Sequence, residues 1–162
     1  HHRIRNPTMG YYLLPMMRLL GCLNWEKSVK ALLSIKPEFA EKIFSGKKCF
    51  EFRKVAFSKE VRSIVVYVTA PVGRIIGEFE VAKILSDSPS SLWKKTKDSA
   101  GITEQFFFEY FKGRKTAIAI EIAKPIRYKH EINPYKGEQK FTPPQSFRYI
   151  QEGTSAQTQL LY

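Results

Sequence analysis

Histidine is nearly missing from this chain. Of its three, two are His1 and His2, and only His130 lies further in. A Ser-His-Asp or Cys-His mechanism would have to use it, and no G-x-S-x-G or comparable nucleophile motif accompanies it. Aspartate is as scarce, with Asp87 and Asp98 making up the whole supply. A two-metal carboxylate cluster would therefore rest on glutamates. Glu78 and Glu80 share a strand face, but alternating glutamates ordinarily face water, so no metal site is expected. Cys22 and Cys49 form no CxxC and have no histidine beside them. That argues against a disulfide framework and a zinc site, and reduced thiols fit a cytoplasmic protein. There is no P-loop and no GxGxxG, so nucleotide-triphosphate and dinucleotide chemistry have no support and no cofactor is implied. The one long apolar run, residues 11–23, is 13 residues and carries Pro15 and Arg18. A membrane span needs roughly 20. The run has the length of a signal-peptide core, but no A-x-A-like cleavage site follows it. No membrane partner is expected.

What the chain has in excess is positive charge. Lysine and arginine number 27 against 15 acids, for a net charge of +12 across 162 residues. Charge of this size favours polyanionic partners, nucleic acid before an anionic membrane surface. The plainer alternative is a basic protein whose charge has no specific task. With 43% hydrophobic and 14% aromatic residues the chain is globular, and its length suits one domain.

His1–Gly10 reads as a tag remnant and is kept out of fold reasoning. Residues 11–28 read as an apolar N-terminal arm, 29–150 as the domain, and 151–162 as a loose, flexible tail. KALLSI (30–35) is a short buried strand. Pro37 opens a helix at the position where its missing N–H costs nothing, and Gly46 closes it as a left-handed C-cap. KKCFEFRK (47–54) follows as a strand, and SIVVYVTA (63–70) as a central strand buried on both faces. RIIGEFEVAKIL (74–85) is another strand, where Gly77 marks a bulge or a close backbone approach. Ser88-Pro89 starts a helix carrying Trp93, and Thr103 caps a second helix that Gly113 ends. KTAIAIEIAKPI (115–126) alternates, with Thr116, Ile118, Ile120 and Ile122 toward the core and Ala117, Ala119, Glu121 and Ala123 away. Residues 128–150 read as a Pro-rich basic loop. The order β-α-β-β-β-α-α-β predicts an α+β domain: a small, mixed, mostly antiparallel barrel of about five strands with two to three flanking helices. A doubly wound sheet would need helices between strands 2 to 4, and none are there.

SGKKCFEFRK (45–54) is the stretch that invites a site. Residues two apart on a strand share a face, so Glu51 and Arg53 can pair or jointly hold a polar ligand. Arginine forks onto a carboxylate or phosphate, and glutamate accepts from a base amino group. An exposed ion pair of little energetic consequence is the other reading. From Lys42 to Arg62 there are seven basic residues, Lys48, Arg53 and Lys54 among them, and from Lys112 to Arg148 there are nine. Brought together they would form a basic groove for a phosphate backbone, with interleaved aromatics to stack on bases. Trp93 stands open between core and cleft. Phe106, Phe107, Phe108, Tyr110 and Phe111 read as core and are left out of the site. Lys47 and Lys112 read as solvated helix-end charges.

The run Gly46-Lys47-Lys48-Cys49-Phe50-Glu51-Phe52-Arg53, following a helix, resembles the G-x-K-x-x-E-x-R signature of ASCH domains, which belong to the PUA-like superfamily of small β-barrels. The likeness extends through YVTAPVGRIIGEFEV, LWKKTKDSAGITEQFFFEYFKGRKTAIAIEI and PPQSFRYI, covering about residues 29–150. It implies a module that binds RNA or nucleotides in a cleft beside the barrel. Lys48, Glu51 and Arg53 would line that cleft, with Thr69 and Pro71 as neighbours. One branch of the family removes the acetyl group from N4-acetylcytidine with a lysine and a threonine. Lys48 matches the lysine, whereas Glu51 stands where that branch has threonine. Another relative is a ribonuclease. The expectations are thus RNA or nucleoside binding, a hydrolase of RNA or acylated nucleosides with Lys48 as its catalytic residue, or a transcription-related adaptor. Strict alternation puts Lys48 opposite Glu51 and Arg53, so the three meet only if the strand bulges near Cys49 or begins after Lys48.

Overall fold

The computed structural model describes residues 29–137 and 140–150. The expected tag remnant, apolar arm and C-terminal tail lie outside the described residues. Six strands and three α-helices follow in the order β1 (Val29–Ile35), α1 (Pro37–Phe44), β2 (Phe50–Arg53), β3 (Val61–Val68), β4 (Arg74–Asp87), α2 (Pro89–Thr96), α3 (Glu104–Tyr110), β5 (Ala117–Ile132) and β6 (Phe147–Ile150). They form one sheet in the order β2-β5-β4-β3-β1-β6. Only β1 and β3 run parallel; every other neighbouring pair is antiparallel.

Local chemistry explains the helix boundaries. Pro37 occupies the first turn of α1, and Gly46 takes φ +77° just past its end. The hydroxyl of Ser88 accepts the Ser91 N–H at the start of α2, and that of Thr103 accepts the Phe106 N–H at 3.2 Å at the start of α3. Inside β4, a side chain at Gly77 would collide with the Ile126 carbonyl and the Phe44 ring. The β4–β5 register slips beside this glycine, so the expected bulge and close approach are both present.

The sheet is mixed as expected but open, not closed into a barrel. β2 and β6 are its edges and each is only four residues long. The sheet nonetheless curls until β2 faces the far end of β1. There β6 has stopped pairing at Leu33, so that Ser34 and Ile35 have β3 as their one strand partner among the described residues. The Arg53 Nη2 donates to the Ser34 carbonyl at 3.3 Å across this seam, a side-chain contact where ladder bonds would be needed for closure.

Three apolar clusters hold the curl. Ala31, Leu33 and Ile35 meet α1, β3, β4 and Ile120 inside the bend. Leu32, Val65, Tyr67, Ile75 and Ile150 pack on the opposite face under Phe141. Phe52, Leu92, Phe107, Phe111, Ala117 and Ala119 form the third, between the helices and β5. This last cluster corrects the reading of β5. Ala117 and Ala119 are fully buried because α2 and α3 cover their face, and Thr116 is exposed. The small side chains make room for Leu92 and the two phenylalanines. The expected loop at 128–150 also divides differently, with β5 running on to Ile132 and β6 pairing with β1.

Candidate functional site

The seam between β2 and the free end of β1 is a cleft of about 180 Å³. Its polar floor comes from the turn between α1 and β2. The Lys48 N–H donates to the Lys42 carbonyl at 3.0 Å, and the Cys49 N–H to the Ser99 carbonyl at 2.8 Å. These bonds hold Lys48 in a turn before β2 begins at Phe50, so the strand's alternation does not govern it. Lys48, Glu51 and Arg53 therefore meet: Lys48 Nζ lies 3.8 Å from Glu51 Oε2, and Arg53 Nε lies 3.7 Å from Glu51 Oε1.

All three are drawn inward. Lys48 is 2% exposed and Glu51 7%. Lys48 donates to the Ala100 carbonyl at 3.0 Å and sits over the rings of Phe52 and Phe39, at 4.8 and 5.4 Å from their centres. Burial pulls its ammonium below the usual lysine range. The Glu51 carboxylate opposes that shift, while Lys42 and Arg53 add to it. The room for Lys48 is made by Gly101, at φ +69°, where a side chain would press on the lysine Cβ and Cγ at 2.5 and 2.7 Å. Glu51 lines the cleft, and among the described residues its carboxylate takes no hydrogen bond closer than these two ion pairs. Arg53 Nε is buried without a hydrogen-bond acceptor among the described residues.

The walls are aromatic. The Phe39 ring meets that of Phe106 edge to face with centres 5.4 Å apart, and the Phe106 and Tyr110 rings lie within 7° of parallel and 6.5 Å apart. Burial raises the Tyr110 phenol above its ordinary value, against the pull of the Arg53 guanidinium. Two lysines mark the mouth: Lys54 Nζ lies 4.6 Å from the Tyr110 ring centre and Lys36 Nζ 5.8 Å from that of Phe106. Some other basic groups are ion-paired, Lys30 with Glu78 and Arg127 with Glu41 for example. Lys36 and Lys54, like most of the other basic groups, have no carboxylate partner among the described residues, so the mouth carries positive charge.

The structure thus brings Lys48, Glu51 and Arg53 together, with Lys54 at the rim. Thr69 and Pro71 sit in the β3–β4 turn and are not among the residues that line the cleft. The Thr69 N–H donates to the Ile35 carbonyl at 3.0 Å, and Pro71 is exposed. Trp93 is half-buried on α2, its ring 4.9 Å from that of Phe107, and does not line the cleft. Phe39, Phe106 and Tyr110 were absent from the sequence-derived set. The signal for the last two was spacing: Phe107 and Phe111 form one i,i+4 stripe of α3, and Phe106 and Tyr110 form the stripe beside it. His130 is exposed on β5, outside the cleft. Among the described residues, no three His, Cys, Asp or Glu side chains are placed to hold a metal ion, and no helix is long and apolar enough to cross a membrane.

Comparison with known proteins places this geometry in context. The family model of the ASCH domain matches residues 33–141. The chain is 32% identical over 126 residues to an "ASCH domain-containing ribonuclease" of Zymomonas mobilis, across 76% of this chain and 85% of that protein. It is 33% identical over 117 residues to a Ureaplasma parvum protein named ATP synthase subunit alpha, across 68% of this chain but only 15% of that protein. A third relative, large ribosomal subunit protein uL22 of Ureaplasma parvum, is 27% identical over 131 residues, and the chain spans 40% of its length. Among solved structures, ASCH from Zymomonas mobilis superposes with a TM-score of 0.67 at 30% identity, covering 82% of this chain and 92% of that one. A serine-to-alanine variant of the same protein gives a TM-score of 0.70 at 29% identity, covering 76% and 89%.

Proposed function

The chain belongs to the ASCH domain family, and on that premise we propose that it binds single-stranded RNA or a nucleotide, taking one base into the cleft floored by Lys48, Glu51 and Arg53. The observation that carries this reading is the row formed by the buried Lys48 and Glu51 and the part-buried Arg53, open to solvent through a small cleft with aromatic walls. Such a row is costly to bury unless a polar ligand completes it. Glu51 accepts from the base edge, Arg53 and Lys48 donate, and Phe39, Phe106 and Tyr110 offer flat faces. Lys36 and Lys54 meet the phosphate backbone. The names of two relatives, a ribonuclease and a ribosomal protein, point to RNA as the polyanion.

The test is fluorescence anisotropy of the full chain with labelled single-stranded RNA. Affinity should fall steeply between about 50 and about 200 mM salt, and Lys36→Ala with Lys54→Ala should reduce the salt slope. Absence of binding at low salt, or tight binding indifferent to salt, refutes the reading.

A second reading is favoured by Lys48 itself. Its depressed proton affinity brings it toward the free amine that can take a proton from an attacking hydroxyl. In a ribonuclease that hydroxyl is the ribose 2′-OH, with Arg53 beside the phosphate. Alternatively, Lys48 serves hydrolysis of an acylated base. Incubation with labelled RNA and with N4-acetylcytidine, with and without chelator, separates these outcomes from binding alone. Product that disappears with Lys48→Ala establishes the enzyme, and no product from either substrate removes it.

A further inference from the structure

The floor of the cleft has an order. Along the row stand the Lys48 ammonium beside Glu51 Oε2 and the Arg53 Nε–H beside Oε1, at 3.8 and 3.7 Å. In hydrogen-bonding terms the row reads donor, acceptor, acceptor, donor. Neither cation is close enough to consume the carboxylate in a hydrogen bond, and Arg53 Nε has no other acceptor among the described residues. Lys48 spends one of its protons on the Ala100 carbonyl and keeps two.

Resting on the RNA-binding reading above, we propose that the cleft selects guanine. Guanine is the one standard RNA base with two adjacent donors, N1–H and the 2-amino group, flanked by acceptors O6 and N3. Its edge reads acceptor, donor, donor, acceptor and meets the floor group for group. N1–H and the 2-amino group donate to the two Glu51 oxygens, while O6 and N3 face the two cations. Adenine offers one amino group followed by ring acceptors, cytosine one amino group followed by two acceptors, and uracil one imino group between carbonyls. Each leaves one Glu51 oxygen unmatched or facing a carbonyl, and a buried polar group without its partner is where selectivity of this kind arises. The cleft, at about 180 Å³, has room for one base, and its aromatic walls suit a flat purine.

The test measures anisotropy of the full chain on oligouridine strands of about ten nucleotides that differ only at the central base. That base is guanine, adenine, cytosine, uracil, hypoxanthine (guanine without the 2-amino group) or 7-deazaguanine, which keeps the whole donor edge. Guanine and 7-deazaguanine strands should bind about tenfold or more tighter than the uracil strand, and hypoxanthine should lose most of that gain. Glu51→Gln, which replaces one acceptor with a donor, should erase the preference for guanine over uracil. Equal binding of all strands, preference for another base, or hypoxanthine equal to guanine overturns guanine selection while the RNA-binding reading stands. Failure of every strand to bind overturns both. The base-analogue series uses the unaltered chain and decides the matter even if the Glu51 variant does not fold.

Discussion

Gly101 gives the sharpest test of how the site is built, because it shapes Lys48 without lining the cleft. At φ +69° an alanine there adopts a left-handed backbone, which costs about 1–2 kcal/mol. It also sets a methyl group 2.5 Å from Lys48 Cβ, 2.7 Å from Cγ and 3.0 Å from Cα. Lys48 has nowhere to retreat, since its backbone N–H is bonded to Lys42 and its Nζ to Ala100. Overpacking of this kind adds about 1–3 kcal/mol. Two glycines provide matched controls: Gly46 at φ +77° and Gly113 at φ +75° have nothing within 4 Å of an added side chain. Their alanine variants should lose only the backbone part. At about 4 °C per kcal/mol for a domain of this size, Gly101→Ala should melt about 8–20 °C lower and each control about 4–8 °C lower. Thermal melts by circular dichroism measure this, with RNA affinity measured well below the transition. Gly101→Ala should weaken binding and the controls should not. If all three variants melt within about 2 °C of one another, Lys48 is not wedged against Gly101.

Other expectations are as direct. Lys48 has a lowered proton affinity in the folded chain and its ordinary value of 10.5 when unfolded. Between the two, the unfolded chain holds more protons, so stability relative to Lys48→Met should rise with pH across that window. Urea unfolding of both proteins at about pH 7 and about pH 9.5 checks the sign, and a flat difference refutes it. Asp87 accepts from Lys95, the Ser91 hydroxyl and the Ser88 N–H, in that order of effect, which hold its carboxyl down at about 2. Its NMR titration should have a midpoint there and move up in Lys95→Ala. Its contribution to stability is complete above the ordinary carboxylate value and lost as pH falls toward about 2. The Tyr149 hydroxyl accepts the backbone N–H of Ser58 at 2.8 Å and of Lys59 at 3.2 Å, so Tyr149→Phe should speed hydrogen exchange at those two amides.

Legibility in the sequence followed the range of the forces involved. Pro37, Gly46, Ser88 and Thr103 act on their own helix ends, and each element they delimit was readable. Glu51 and Arg53 share a face through strand geometry alone, which is local too. The position of Lys48 was undetermined because it depends on where pairing with β5 begins. β6 is four residues of a Pro-rich segment and exists only because β1 offers an edge. Ala117 and Ala119 looked solvent-facing until α2 and α3 were folded over them. Phe106 and Tyr110 were indistinguishable in composition from Phe107 and Phe111. Which stripe of α3 meets the sheet and which meets the seam is a tertiary decision that no window of the sequence contains.

The open seam also sets a rule for altering this domain. The same unpaired backbone edge that leaves room for a ligand is a place where a strand could be added. Lengthening β2 or β6 by a few β-branched residues would let the edges zip together and bring the sheet nearer to a closed barrel. Such a variant should be sturdier and less prone to edge-to-edge aggregation, yet it would bury Ser34 and Arg53 beneath a new ladder. Ligand access and edge protection compete here for the same few ångströms of backbone.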